Sequence, residues 1–212
     1  MVVPVYNNAA TLQELCRRLR DALPGGPLEL IIVDDASTDD SLAVLATLEV
    51  AVVRHDRNRG QNAAVLTGLS RARYPFTCVI DADLEDPPES VPRMLSALDP
   101  AEVVFSSRDE PHAATSRAFR WIIRRLFPTL PPHPCLCFAI TADARSRVIR
   151  AAARGDYVPA VIGRLRLRAD QIPITRGPRP EARGALTTAR RIRYAASAMR
   201  AAVRIRLRRD DR

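Results

Sequence analysis

The strongest constraint on how this chain can fold is an alternation that runs through its first 110 residues. Short β-branched runs at Val2 to Tyr6, Leu28 to Val33, Val50 to Arg54, Phe76 to Ile80 and Val103 to Ser106 predict strands. Between them, Thr11 to Leu23, Ser41 to Leu48, Asn62 to Ala72 and Ser90 to Leu98 carry apolar residues at helical spacing. Repeated βαβ units close as a mostly parallel sheet with helices on both faces, so the expected class is α/β. With 212 residues, 47% of them hydrophobic, the chain has enough material for one continuous core.

Beyond residue 110 the pattern changes. Residues 116–127 read as an amphipathic helix bearing Arg117, Arg120, Arg124 and Arg125, and a loop with Pro128, Pro131, Pro132 and Pro134 follows. A helix is expected over Thr141 to Ala153 and a strand over Leu165 to Ile174. A last helix is expected over Thr188 to Val203, with Ile192, Ala195, Ala196, Met199 and Val203 on one face. The expected division is a domain over 1–187, with halves 1–110 and 111–187, and a basic amphipathic C-terminal tail over 188–212. No internal repeat is present.

Charge is split along the chain. Residues 1–112 hold 10 Arg against 18 Asp and Glu, whereas 113–212 hold 23 Arg against 6 acids, and lysine is absent. The basic second half implies an anionic partner: phosphate groups, a lipid surface or nucleic acid. Aromatic content of 5% leaves few platforms for stacking bases, so no nucleic acid is expected. A nonenzymatic basic module that binds nucleic acid or lipid is the alternative from a different class. No run approaches the roughly 18 to 20 apolar residues of a membrane span, and no basic-then-apolar leader opens the chain. The expectation is a cytoplasmic protein. Cys16, Cys78, Cys135 and Cys137 lack paired CxxC spacing and read as reduced core residues.

In open sheets of this kind, ligands gather at the carboxyl ends of strands. The acids fall there: Asp34 and Asp35 end the second run, and Asp81 and Asp83 end the fourth within VIDADLEDPPES. Two carboxylates one residue apart can reach one hard divalent cation if the backbone turns between them. Mg²⁺ binds few protein oxygens and shares its other positions with water and phosphates, so a Mg²⁺- or Mn²⁺-bridged diphosphate suits this pair, with Glu85 as a further ligand. The cation would offset the mutual repulsion of four acids in six positions. Asn58, Gly60 and Asn62 sit where the third helix begins, a place for either a bound anion or an ordinary turn and cap.

In order and spacing, VVPVYNN, ELIIVDDASTDDS, RNRGQNAAVLTGLSRA and VIDADLEDPPESVPRML resemble the family 2 glycosyltransferases of the GT-A fold. They look closest to the branch that moves a sugar from a nucleotide sugar onto a polyprenyl phosphate, such as dolichyl phosphate mannosyltransferases. The match is dense over about residues 1–108. It implies that Pro4, Tyr6 and Asn8 line the nucleotide pocket, with Asn8 where many members carry Glu. Of Asp34 and Asp35, one would accept a hydrogen bond from the base or ribose and the other would cap the following turn. Asp81 and Asp83 would hold metal and sugar diphosphate, with Glu85 where relatives often have Gln. Arg108 would lie near the phosphates, and Arg117, Arg120, Arg179 and Arg183 would serve the acceptor phosphate.

Later motifs depart from the family: in PHPCLCFAI, His133, Cys137 and Ala139 stand in place of Asp, Gly and Arg, and Gly184 and Leu186 replace a Ser and a Tyr. A form that binds nucleotide sugar without efficient transfer is a further alternative. The implied donors are UDP-, GDP- or dTDP-sugars, and the implied acceptor is a membrane lipid phosphate reached by peripheral contact. The implied reaction is one inverting displacement at the anomeric carbon. Because a lipid phosphate oxygen is already anionic near neutral pH, no general base is needed. His55, His112 and His133 read as loop residues and none is assigned to catalysis. A nucleotidyltransferase would need a Gly- and Arg/Lys-rich signature after its first strand, which VYNNAATL lacks.

Overall fold

A computed structural model of the chain describes residues 1–108, 125–132, 134–153 and 156–175. Its strands are β1 (Val2–Val5), β2 (Ile31–Asp34), β3 (Ala51–Arg54), β4 (Phe76–Val79), β5 (Val103–Arg108), β6 (Phe138–Thr141) and β7 (Ala169–Ile174). Its helices are α1 (Ala9–Ala22), α2 (Ser41–Ala46), α3 (Gln61–Arg71), α4 (Val91–Ser96), α5 (Ala142–Ala151) and α6 (Val158–Arg164), with a 3₁₀ turn at Pro88–Ser90.

The strands form one 7-stranded sheet in the order β3-β2-β1-β4-β6-β5-β7. Only β6 runs against its neighbours, β4 and β5, and Phe105 and Phe138 sit opposite each other across the β5–β6 pair with ring centroids 5.7 Å apart. Apolar residues pack on both faces. One cluster includes Leu12, Leu15, Leu45 and Met94, so α1, α2 and α4 cover that face. The other includes Val65, Leu69, Val148 and Val161 from α3, α5 and α6. The mostly parallel α/β sheet expected from the sequence is therefore present, and β6 and β7 join it to the first five strands.

Successive strands step from β1 out to β3, and the chain then crosses back to lay β4 on the other side of β1. A crevice opens at such a reversal, beyond the strand ends. Pro4 bears on the β1–β4 pairing at this reversal. Val2 O accepts from Ile80 N on the β4 side, and the alternation of the ladder turns Pro4, two residues on, to the same side. Proline has no N–H to give, and the β1–β4 ladder holds the single registered pair Val2↔Val79. On its other side β1 stays zipped to β2 through Val5↔Asp34.

Three elements differ from the sequence expectation. The strand expected over Leu165 to Ile174 begins at Ala169, and Val158–Arg164 form α6, with Pro159 in its first turn. Proline is tolerated there because the first helical N–H groups have no acceptor in the helix. Phe138–Thr141, assigned no element from the sequence, is the antiparallel strand β6. The basic helix over 116–127 falls mostly, and the 188–212 tail wholly, outside the described residues.

Candidate active site

The carboxyl ends of β1, β2, β4 and β5 lie along one edge of the sheet, where three loops meet. The β1–α1 loop is stitched to the β2–α2 loop: Thr38 N donates to Asn7 Oδ1 (2.8 Å), Asn7 N to Ser37 Oγ (3.0 Å), and Asn8 N to Ser41 Oγ (3.0 Å). Thr11 Oγ1 donates to Ala82 O at 2.6 Å and so ties the start of α1 to the acidic loop after β4. Asn7 (φ 57°), Ala36 (φ 61°) and Leu84 (φ 59°) occupy the left-handed region, one in each of the three loops. Ala and Leu gain nothing by that conformation, and such strain persists where surrounding bonds fix the backbone.

Asp34 and Asp35 divide their roles. Asp34 is fully buried and caps the following turn, its Oδ1 accepting from Ser37 N at 3.1 Å. Its Oδ2 makes no hydrogen bond among the described residues and faces Arg54 Nε at 3.5 Å. Asp35, in contrast, has both oxygens engaged. Oδ2 accepts from Gly60 N (2.7 Å), and Oδ1 accepts from Arg59 N (2.8 Å) and meets His55 Nδ1 (2.7 Å). Asp35 thus ties down the turn that enters α3 through the N–H groups just before its first helical residue. Gly60 carries φ 89°, a conformation suited to glycine, as it turns into the helix. Asn62 points elsewhere: its Oδ1 accepts from Val158 N at 3.0 Å and fixes α3 to α6.

His55 follows β3 directly and lies in a loop, as read from the sequence. It is buried, with Nε2 3.0 Å from Thr67 Oγ1 on α3, so both ring nitrogens are engaged. Its burial and its two partners were not legible in the sequence, because an isolated His carries no periodic signal.

Asp81 and Asp83 stand half-buried on the loop after β4. Asp83 Oδ1 accepts from Glu85 N at 3.1 Å, a turn that folds the loop back on itself, and Asp81 Oδ1 accepts from Gln61 Nε2 at 2.6 Å. Gln61 was not anticipated. Its signal was its place as the first helical residue after Gly60 at this edge. Asp86 is fully buried. Burial pushes the neighbouring Cys78 thiol up to about 12 and the Cys137 thiol well above its usual range, with the charge of Asp86 adding to both shifts. All four cysteines are free, as read from the sequence, and three are buried.

Among the described residues no group of three or more His, Cys, Asp or Glu side chains is arranged to hold a metal ion. Glu85 therefore does not complete a three-carboxylate set with Asp81 and Asp83. Two half-buried carboxylates still match the chemistry of Mg²⁺ or Mn²⁺ shared with a diphosphate, since such ions keep waters and substrate oxygens as their other ligands. Tyr6 lies at the same edge, 39% exposed, and Pro4 is buried within β1. Asn8 Oδ1 turns back to accept from Tyr6 N at 3.3 Å. Arg108 is the last residue of β5, which runs parallel to β4, so its backbone reaches this edge. Arg117, Arg120, Arg179, Arg183, His112 and His133 lie outside the described residues.

The glycosyl transferase family 2 profile matches residues 1–131. The chain belongs to that family. An undecaprenyl-phosphate 4-deoxy-4-formamido-L-arabinose transferase of Klebsiella pneumoniae (strain 342) is 28% identical over 194 residues, 84% of this chain and 59% of the relative. The transferase of the same name from Enterobacter sp. (strain 638) is 29% identical over 189 residues, 82% of this chain and 58% of its own length. The chain thus spans somewhat under two thirds of these relatives. Among solved structures, glucosyl-3-phosphoglycerate synthase from Mycobacterium tuberculosis superposes with a TM-score of 0.71 at 20% identity, over 95% of this chain and 78% of that one. The fold is of the GT-A type, as the sequence resemblance implied.

Proposed function

We propose that this glycosyltransferase domain moves a sugar from a nucleotide sugar to a polyprenyl phosphate at the cytoplasmic membrane face, with inversion. The observation that supports the reading is that Asp34, Tyr6, Asp81 and Asp83 stand at the carboxyl ends of the adjacent strands β2, β1 and β4. The undecaprenyl-phosphate transferases among its relatives support the acceptor class.

Asp34 is the nucleoside-side carboxylate, because its Oδ2 makes no hydrogen bond among the described residues, whereas both oxygens of Asp35 are already engaged by the turn before α3 and by His55. Reaching it requires the exposed Arg54 side chain to turn aside. Tyr6 forms the adjacent wall. Asp81 and Asp83 would hold Mg²⁺ or Mn²⁺, which supplies positive charge to the diphosphate as it departs. Arg108, whose backbone ends β5 at this edge, would add to that charge, because a guanidinium suits two parallel bonds with phosphate. The acceptor phosphate oxygen attacks the anomeric carbon, the bond from that carbon to the diphosphate oxygen breaks, and a nucleoside diphosphate leaves. No proton has to be removed from the nucleophile. The domain's task is then to orient the two substrates and exclude water. His55 takes no part, being held by Asp35 and Thr67.

Thermal unfolding with UDP-, GDP- and dTDP-sugars, each with and without Mn²⁺, tests the reading. The M. tuberculosis synthase was crystallised with Mn²⁺ and UDP-glucose, which makes that pair the first trial. A donor at 100 times its dissociation constant stabilises the fold by about 2.7 kcal/mol. Asp83→Asn is expected to lower transfer to a short-chain polyprenyl phosphate by about 100-fold or more with the unfolding midpoint preserved. Full activity of that variant at saturating Mn²⁺ would remove the metal assignment. Stabilisation by a donor without any transfer would favour the nonproductive form, in line with His133, Cys137 and Ala139 replacing the family's residues.

A further inference from the structure

We infer that Gln61 is a positioning residue for Asp81, and that the Asp35 carboxylate fixes where Gln61 stands. This rests on the reading of Asp81 as a ligand for the divalent cation and diphosphate.

The first link is direct. Gln61 opens α3, and its Nε2 donates to Asp81 Oδ1 at 2.6 Å, across the crevice between the start of α3 and the end of β4. A hydrogen bond to one oxygen sets the plane of a carboxylate, and partners of this kind commonly tune a metal ligand. The choice of an amide matters. An Arg or Lys here would place a full positive charge against Asp81 and oppose cation binding, whereas a carboxamide orients the carboxylate and leaves its charge in place.

The second link explains why the donor does not drift. A side chain on the first helical residue is only as well placed as the helix terminus, which ordinarily frays. Here the terminus is tied down by a closed circuit. Asp35 accepts from the backbone N–H groups of Arg59 and Gly60, its Oδ1 also meets His55 Nδ1, and His55 Nε2 reaches Thr67 Oγ1 farther along α3. Asn62 ties the next residue to α6. Gly68 lets the helix lie directly on β1, since a Cβ there would stand 2.2 Å from Val2 Cγ1. The buried acid at the end of β2 thus governs the half-buried acid at the end of β4 through the backbone of α3.

The test is Gln61→Met, close in size and without a donor, with Gln61→Leu as a second variant should one fold poorly. Mn²⁺ is titrated into the protein in the presence of each of UDP, GDP and dTDP, with free Mn²⁺ read by its electron paramagnetic resonance signal. The apparent dissociation constant for Mn²⁺ is expected to rise about 10- to 100-fold. The unliganded unfolding midpoint should stay within about 4 °C of wild type. Nucleotide affinity in EDTA should be unchanged, because Gln61 acts through Asp81 and not on the nucleotide. Wild-type Mn²⁺ affinity in both variants would overturn the inference, and so would an equal loss of nucleotide affinity in EDTA, which would make Gln61 a direct contact. Failure of the wild-type protein to bind Mn²⁺ with any of the three nucleotides would instead sink the functional reading beneath it.

Discussion

The carboxylate of Asp35 satisfies two backbone N–H groups and an imidazole at once, all at a buried strand end. Its neighbour Asp34 satisfies one N–H and keeps an oxygen without a hydrogen bond among the described residues. Two adjacent and identical side chains should therefore respond differently to substitution. Removing Asp35 takes the partner from the buried His55 ring and from two part-buried backbone N–H groups, at about 1 to 3 kcal/mol for each group left without another partner. Asp35→Ala is expected to lower unfolding stability in urea by at least about 3 kcal/mol. Asp34→Asn keeps an acceptor for Ser37 N and should cost about 1 kcal/mol or less, while weakening nucleotide-sugar binding. A urea midpoint for Asp35→Ala close to that of Asp34→Asn would contradict this division of labour.

Among the elements, α3 is the one on which the site depends most, and its contact with β1 is correspondingly close. Gly68→Ala would drive a methyl group into Val2, whose Cγ1 lies 2.2 Å from the added carbon. Overpacking of this kind costs about 1 to 3 kcal/mol. Because the helix must lift or turn to admit the methyl, donor affinity should fall together with stability. Retained stability, measured by calorimetry, would mean that Val2 relaxes alone. Most of the elements that carry this arrangement were legible in sequence, since β1 to β5 and α1 to α4 announce themselves by β-branched runs and helical periodicity. The acids at their ends were legible for the same reason, because a strand boundary fixes where its terminal carboxylate lies. What stayed hidden was pairing between residues far apart in sequence. That Asp35, and not Asp34, is taken up by the turn before α3 depended on the location of Gly60 N, 25 residues away. Gln61 had no meaning until α3 was set against β4. β6 was missed because Phe138–Thr141 is short and buried on both faces, with no alternation to betray it.

At the scale of the whole molecule, the acids and the arginines are distributed so that they complement one another. The described sheet gathers Asp34, Asp35, Asp81 and Asp83 at one edge, and β5 and β7, which run parallel, both end there at Arg108 and Ile174. The chain thus leaves the described residues twice from the edge that holds the site, each time towards an arginine-rich stretch. From Arg179 onward there are 11 Arg against Glu181, Asp210 and Asp211. No helix among the described residues is long and apolar enough to cross a membrane. We propose that residues 188–212 hold the domain at an anionic lipid surface, where its acceptor would reside. Each basic side chain near such a surface contributes about 1 kcal/mol, and the attraction falls off within a Debye length, so binding should weaken steeply as salt rises. Cosedimentation of the full chain with vesicles containing phosphatidylglycerol, against vesicles of phosphatidylcholine alone, is expected to pellet the protein only with the anionic lipid at low salt. A chain ending at Thr187 should remain in the supernatant while keeping its nucleotide-sugar affinity. Equal pelleting of the two chains would place the contact within residues 1–187, and no pelleting of either at low salt would mean that the acceptor is soluble or is delivered by another protein.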